Sequence, residues 1–144
     1  MVAAIDVIEL FAISPKAPSV LPSSHLDDLG RWMVLLDGIL YDQLFVSFAG
    51  TSVGDSRRLT VSGGSGGLVA LNVVVPGDGD YCLSEGRNGA PGWTTIASGG
   101  QDIEIRARWR VPIDRAARAV YYFALTETLD PGLTWERFQD SPIL

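Results

Sequence analysis

The sequence predicts an α+β domain in which a mainly antiparallel, twisted sheet of about six strands carries two helices, near residues 24–37 and 112–127. Three observations lead to this expectation. The 16 Gly and 8 Pro among 144 residues imply many turns joining short elements rather than a long helical rod. From Asp102 to Arg110, apolar Ile103, Ile105, Ala107 and Trp109 alternate with Asp102, Glu104, Arg106, Arg108 and Arg110, the period of a strand with one face on a core. From Ile113 onward, Ala116, Ala117, Val120, Tyr121, Ala124 and Leu125 recur at helical spacing, a stripe of the kind that packs on a sheet.

Each element has a local reason. Ile5, Val7, Ile8, Leu10, Phe11 and Ile13 make a β-rich run that Ser14-Pro15 stops. Pro15 to Pro22 reads as an extended connection. Ser23 and Ser24 offer capping hydroxyls, and Asp27 and Asp28 place negative charge where the positive end of a helix dipole lies. Leu26, Leu29, Met33 and Leu36 then recur at helical spacing beside Trp32, with Gly38 as the left-handed C-terminal residue. Leu40 to Ala49, Leu59 with Val61, and Leu68 to Val75 read as strands, the last two separated by Ser62-Gly63-Gly64-Ser65-Gly66-Gly67. Pro76 to Asp80 is a turn, and Tyr81 with Leu83 and Trp93 to Ala97 are strands around the turn Glu85 to Gly92. Pro112 suits the first turn of the second helix, Pro131-Gly132 closes it, and Leu133 to Phe138 forms a last strand.

Composition narrows the function. The length suits one domain spanning residues 1–144. A net charge of −6 opposes a surface built to neutralise phosphates, so no direct nucleic-acid ligand is expected, while a basic protein partner is favoured. Cys82 is the only cysteine, which excludes an internal disulfide and a thiolate zinc site and fits a reducing cytoplasm. Met1 to Phe11 has no basic n-region and is interrupted by Asp6 and Glu9, so neither a signal peptide nor a membrane span is expected.

Catalytic and cofactor patterns fail one by one. The glycine cluster is followed by Leu68-Val69-Ala70, where a phosphate loop needs Lys and then Ser or Thr. Counting from Asp78, a calcium loop would want a carboxylate, a glycine and a glutamate where Cys82, Leu83 and Gly89 stand. His25 is the single histidine and sits with Ser24, Asp27 and Asp28 at a helix start, where capping explains the cluster better than a hydrolase triad. No second histidine supports a metal site. Asp102 and Glu104 share one strand face with alternating arginines, which reads as a solvated, salt-bridged surface rather than a glycosidase pair. No enzyme, cofactor or metal is expected. Aromatic residues and glycine turns in a compact acidic domain remain, the features of a protein-binding module, although burial is the default for Trp93, Trp109 and Trp135 because a tryptophan gains most by leaving water.

Gly99-Gly100-Gln101 with Glu104, then Val111-Pro112-Ile113 opening a helix with Ala119 and Phe123, then Pro131 before Thr134-Trp135, resembles the first numbered family of bacterial polymorphic-toxin immunity proteins. The match covers the last third of the chain well, and where the family often has a glycine between helix and proline this chain has Glu127-Thr128-Leu129. The resemblance implies a small cytoplasmic α+β protein that forms a one-to-one complex with a secreted toxin and neutralises it. Some toxins of that kind are nucleic-acid deaminases or nucleases. It points to Trp93, Gln101, Asp102, Glu104 and Trp135 as partner-binding residues, with Asp78, Asp80 and Glu85 as an acidic loop nearby. An adaptor or chaperone for a secreted effector would use a similar acidic surface without inhibiting its partner.

Overall fold

Alternation decides which side of each strand leaves water, and here it assembles one large sheet with a helical layer on one face and a β-hairpin on the other. The computed structural model describes residues 8–13, 26–38, 41–48 and 57–138. In chain order the elements are β1 (Ile8–Ile13), α1 (Leu26–Leu35), β2 (Gln43–Phe48), β3 (Arg58–Gly63), β4 (Leu68–Val75), β5 (Gly79–Ser84), β6 (Trp93–Ser98), β7 (Gln101–Arg106), β8 (Val111–Pro112), α2 (Ile113–Thr126) and β9 (Thr134–Arg137). The six-strand path β1-β2-β3-β4-β5-β9 is antiparallel throughout. β8 pairs with the first two residues of β4, so the α2 helix starts directly above the sheet.

One face of this sheet is closed by the helices. Leu59 and Val61 of β3, Val69, Leu71 and Val73 of β4 and Leu83 of β5 join Leu29 and Met33 of α1 and Ala116, Val120 and Phe123 of α2 in the main core. Each Val, Leu, Met or Phe among them contributes about 1.5–3 kcal/mol by leaving water. Alternate residues point to the other face, where Cys82 and Ala70 meet Ile96, Ile105, Trp109 and Phe138 in a smaller cluster. That cluster fixes the β6–β7 hairpin, a separate two-stranded sheet, against the main one.

Several boundaries differ from the sequence expectation. The described part of the first helix runs over Leu26–Leu35 and ends two residues short of the expected 37, while Ser23, Ser24 and His25 at its expected start lie outside the described residues, as do Ile5 and Val7 of the expected first strand. Gly38 does take the left-handed conformation, with φ 77°. Pro112 is the extended N-cap of α2 and belongs to β8, one residue before the helical turn it was expected to open. The alternating stretch Asp102 to Arg110 is strand only as far as Arg106, and Ala107–Trp109 form a 3-10 turn. The turn lets the indole of Trp109 drop into the smaller core, 5.6 Å from the Phe138 ring centroid, where a continuing strand would carry it past. Ile103, expected in the core, is 39% exposed. Its cross-strand neighbour Ile96 is buried because β6 lies against β3, whereas β7 is one strand farther out.

Candidate partner-binding hairpin

The hairpin is closed by a two-residue turn, Gly99-Gly100, with φ 62° and 82°. Positive φ at both central residues is what a type I′ turn requires, and its twist matches that of the flanking strands. The turn is anchored from below. The Gly100 N–H donates to Oδ2 of Asp42 at 2.7 Å, and Asp42 is fully buried. Gln43 Nε2 donates to the Ser98 hydroxyl at 2.9 Å, and that hydroxyl lies 3.0 Å from the Ser62 hydroxyl. A two-stranded hairpin alone is marginal in water, so these anchors and the smaller core give it a defined orientation.

Register sets what the hairpin displays. Trp93 pairs with Arg106, Thr95 with Glu104 and Ala97 with Asp102, so these six side chains share one face. Trp93, Thr95, Asp102 and Glu104 on it are exposed. The Arg106 guanidinium stands over the Trp93 ring, 4.8 Å from its centroid, and holds the indole at the surface. Gln101 is exposed at the turn but belongs to the opposite parity.

The remaining expected site residues lie elsewhere. Trp135 pairs with Leu83 on the helix face, packs against the main core and donates its indole N–H to the Asp130 carbonyl at 3.0 Å. It is a structural residue on the opposite side of the sheet from the hairpin. Asp78, Asp80 and Glu85 do not form one acidic loop, because β5 separates the two aspartates at its start from Glu85 beyond its end. Asp78 is engaged by the Tyr81 hydroxyl at 2.9 Å and by Arg137 at 3.3 Å. Asp80 has its carboxyl pushed up by burial, opposed by the Asn72 side chain and the Arg58 charge. Asp78, Asp80, Pro76, Gly77 and Phe138 line an open cleft of about 630 Å³ at this turn. Glu85 stands 3.9 Å from Arg115.

Under the hairpin lies a charged cluster that local sequence does not announce. Arg108 grips Glu136 with two bonds of 2.6 Å, and the buried Ser84 hydroxyl donates to the same carboxylate. The Arg108 guanidinium above all, with the Ser84 hydroxyl, holds the Glu136 carboxyl down at about 2 despite partial burial. Cys82, next to this cluster, has its thiol pushed up to about 12 by burial first and by Asp80 and Glu136 second, which makes it unreactive. Among the described residues no group of three His, Cys, Asp or Glu is placed to hold a metal, and no helix is long and apolar enough to cross a membrane. No protein-family model matches this chain, and no curated protein matches it in sequence.

Proposed function

We propose that this is a cytoplasmic immunity protein that binds a cognate secreted bacterial toxin, a nucleic-acid-targeting deaminase or nuclease, and neutralises it by covering its active site. The observation that carries the reading is the outer face of the hairpin, where Trp93, Asp102 and Glu104 are exposed together on a rigid support. An exposed tryptophan on a face that also carries Glu104 and Asp102 is the composition of a binding hot spot with a charged rim. A toxin that acts on DNA or RNA needs a basic groove, and a protein of net charge −6 is steered towards such a groove. The resemblance of Gly99-Gly100-Gln101, Val111-Pro112-Ile113 and Thr134-Trp135 to the immunity family supports the same reading. Inhibition then needs no chemistry from this chain, only occupancy.

The test is co-expression with the toxin domain encoded in the adjoining gene. Growth rescue together with a one-to-one complex is expected. A complex that leaves toxicity intact would point instead to an adaptor or chaperone, and no detectable complex would sink the reading.

A further inference from the structure

The free edge of β6 opens on a pocket of about 250 Å³, lined by Gly38, Gly63, Ser65, Leu68, Thr95, Ile96, Ala97, Asp102 and Arg110. Three features make it more than a gap between layers. First, it runs along an unpaired strand edge. Ser98 and Gln101 close the two-residue turn as a hydrogen-bonded pair, and such pairs alternate along an antiparallel ladder. Thr95 and Ala97 therefore turn their N–H and C=O groups away from β7, towards the pocket, and β6 pairs with no strand but β7 among the described residues. Second, Arg110, a half-buried residue, is among the residues that line the pocket and brings a guanidinium to it. A carboxylate is the acceptor that suits a guanidinium best, because two parallel N–H···O bonds match its planar fork. Third, Asp102 gives the same pocket one negative charge, so it is lined by one cation and one anion.

We propose that this pocket receives an extended segment of a protein partner, which adds as a strand to the free edge of β6, sets an Asp or Glu carboxylate on Arg110 and turns a basic residue towards Asp102. Main-chain bonds to Thr95 and Ala97 supply affinity and the two charges supply specificity, as in other cases of strand addition to a sheet edge. The volume equals roughly eight waters at about 30 Å³ each, so one or two residues enter and the rest of the segment runs along the edge. This deepens the binding reading above by naming what the partner inserts, and it places the contact on the same hairpin that displays Trp93.

The test needs no toxin. A random library of displayed 12-residue peptides is panned on the purified full chain. Enriched sequences are expected to share one acidic position within a β-branched stretch, and a synthetic peptide of that sequence should slow amide exchange at Thr95 and Ala97. Arg110→Gln should raise its Kd at least tenfold. Ser65→Asp, at an exposed rim position, should do so by repelling the carboxylate, with an unchanged thermal midpoint as the check on folding. No enrichment, enrichment without an acidic position, Kd values unmoved by both variants, or free acetate competing at equal concentration would each overturn strand addition. If peptide capture succeeds and toxin rescue fails, the immunity reading falls and the pocket stands; if rescue succeeds without peptide capture, the immunity reading stands and strand addition falls.

Discussion

Glu136 shows how one residue ties three segments together. Its carboxylate meets Arg108 after the hairpin and Ser84 at the end of β5, while its own strand β9 closes the sheet edge. Because its folded value is depressed from an ordinary 4.5 to about 2, its stabilisation is present above pH 4.5 and is lost as the pH falls through that window towards 2. The pair remains about a quarter exposed, so after screening its contribution is on the order of 2 kcal/mol. Urea midpoints measured from pH 7 to 2 should fall steeply between 4.5 and 2, and Glu136→Gln should flatten that fall. An unchanged slope would remove the pair from the acid response. A second residue offers stabilisation instead. Glu127 ends α2 at φ 60° with its N–H on the Phe123 carbonyl, the left-handed cap position that favours glycine. Glu127→Gly should raise stability by about 0.5–1 kcal/mol in the same denaturation assay, and a loss would mean that the glutamate side chain holds something in place. Glu127 was legible as an anomaly, since Glu127-Thr128-Leu129 stands where a glycine was expected. The Arg108–Glu136 pair was not, because its partners lie 28 residues apart and only the sheet order brings them together.

At the scale of elements, strong periodicity was read correctly and turn geometry only in part. The α2 stripe put Ala116, Val120 and Ala124 in the core where the structure has them, since a helix on a sheet needs that face, but its last member, Leu125, lies exposed at the end of the helix. In β7 the same logic failed for Ile103. A period of two says that a strand has two faces, but not that an outer hairpin strand lies too far from the main sheet to bury that residue. The Ser62 to Gly67 cluster was legible as a turn, yet not as the place where the sheet meets the end of α1. Gly64 sits at φ 118°, and a Cβ there would run into the Leu36 backbone carbonyl. Gly66, two residues on at φ 67°, has open space around the same position. Gly64→Ala should therefore cost roughly 2–3 kcal/mol and Gly66→Ala only about 1. Equal shifts in the two melting curves would mean that the loop moves away from α1 freely and that the close approach constrains nothing.

For the whole molecule the question is whether charge acts through a place or through a total. The sequence carries −6, and nothing in composition says where the field is strongest. Among the described residues Glu136 is already paired in place with Arg108, Asp130 with Arg118 and Asp78 with Arg137. Asp102 and Glu104 are exposed side by side on the hairpin, with Arg106 turned onto Trp93. On the proposed function these two are the acids that steer a basic partner. Asp102→Lys with Glu104→Lys changes the net charge from −6 to −2, two reversals of two units each. So does Asp114→Lys in the first turn of α2 with Glu127→Lys at its C-terminal cap. If the hairpin steers the encounter, the first pair should slow association with the toxin roughly tenfold at about 10 mM salt, and the second pair far less. At about 0.5 M salt, where exposed charges are screened beyond a few ångströms, the two variants should converge on the wild-type rate. Stopped-flow association across that salt range decides it: equal slowing by both pairs would assign the attraction to net charge alone and remove the hairpin from the encounter step.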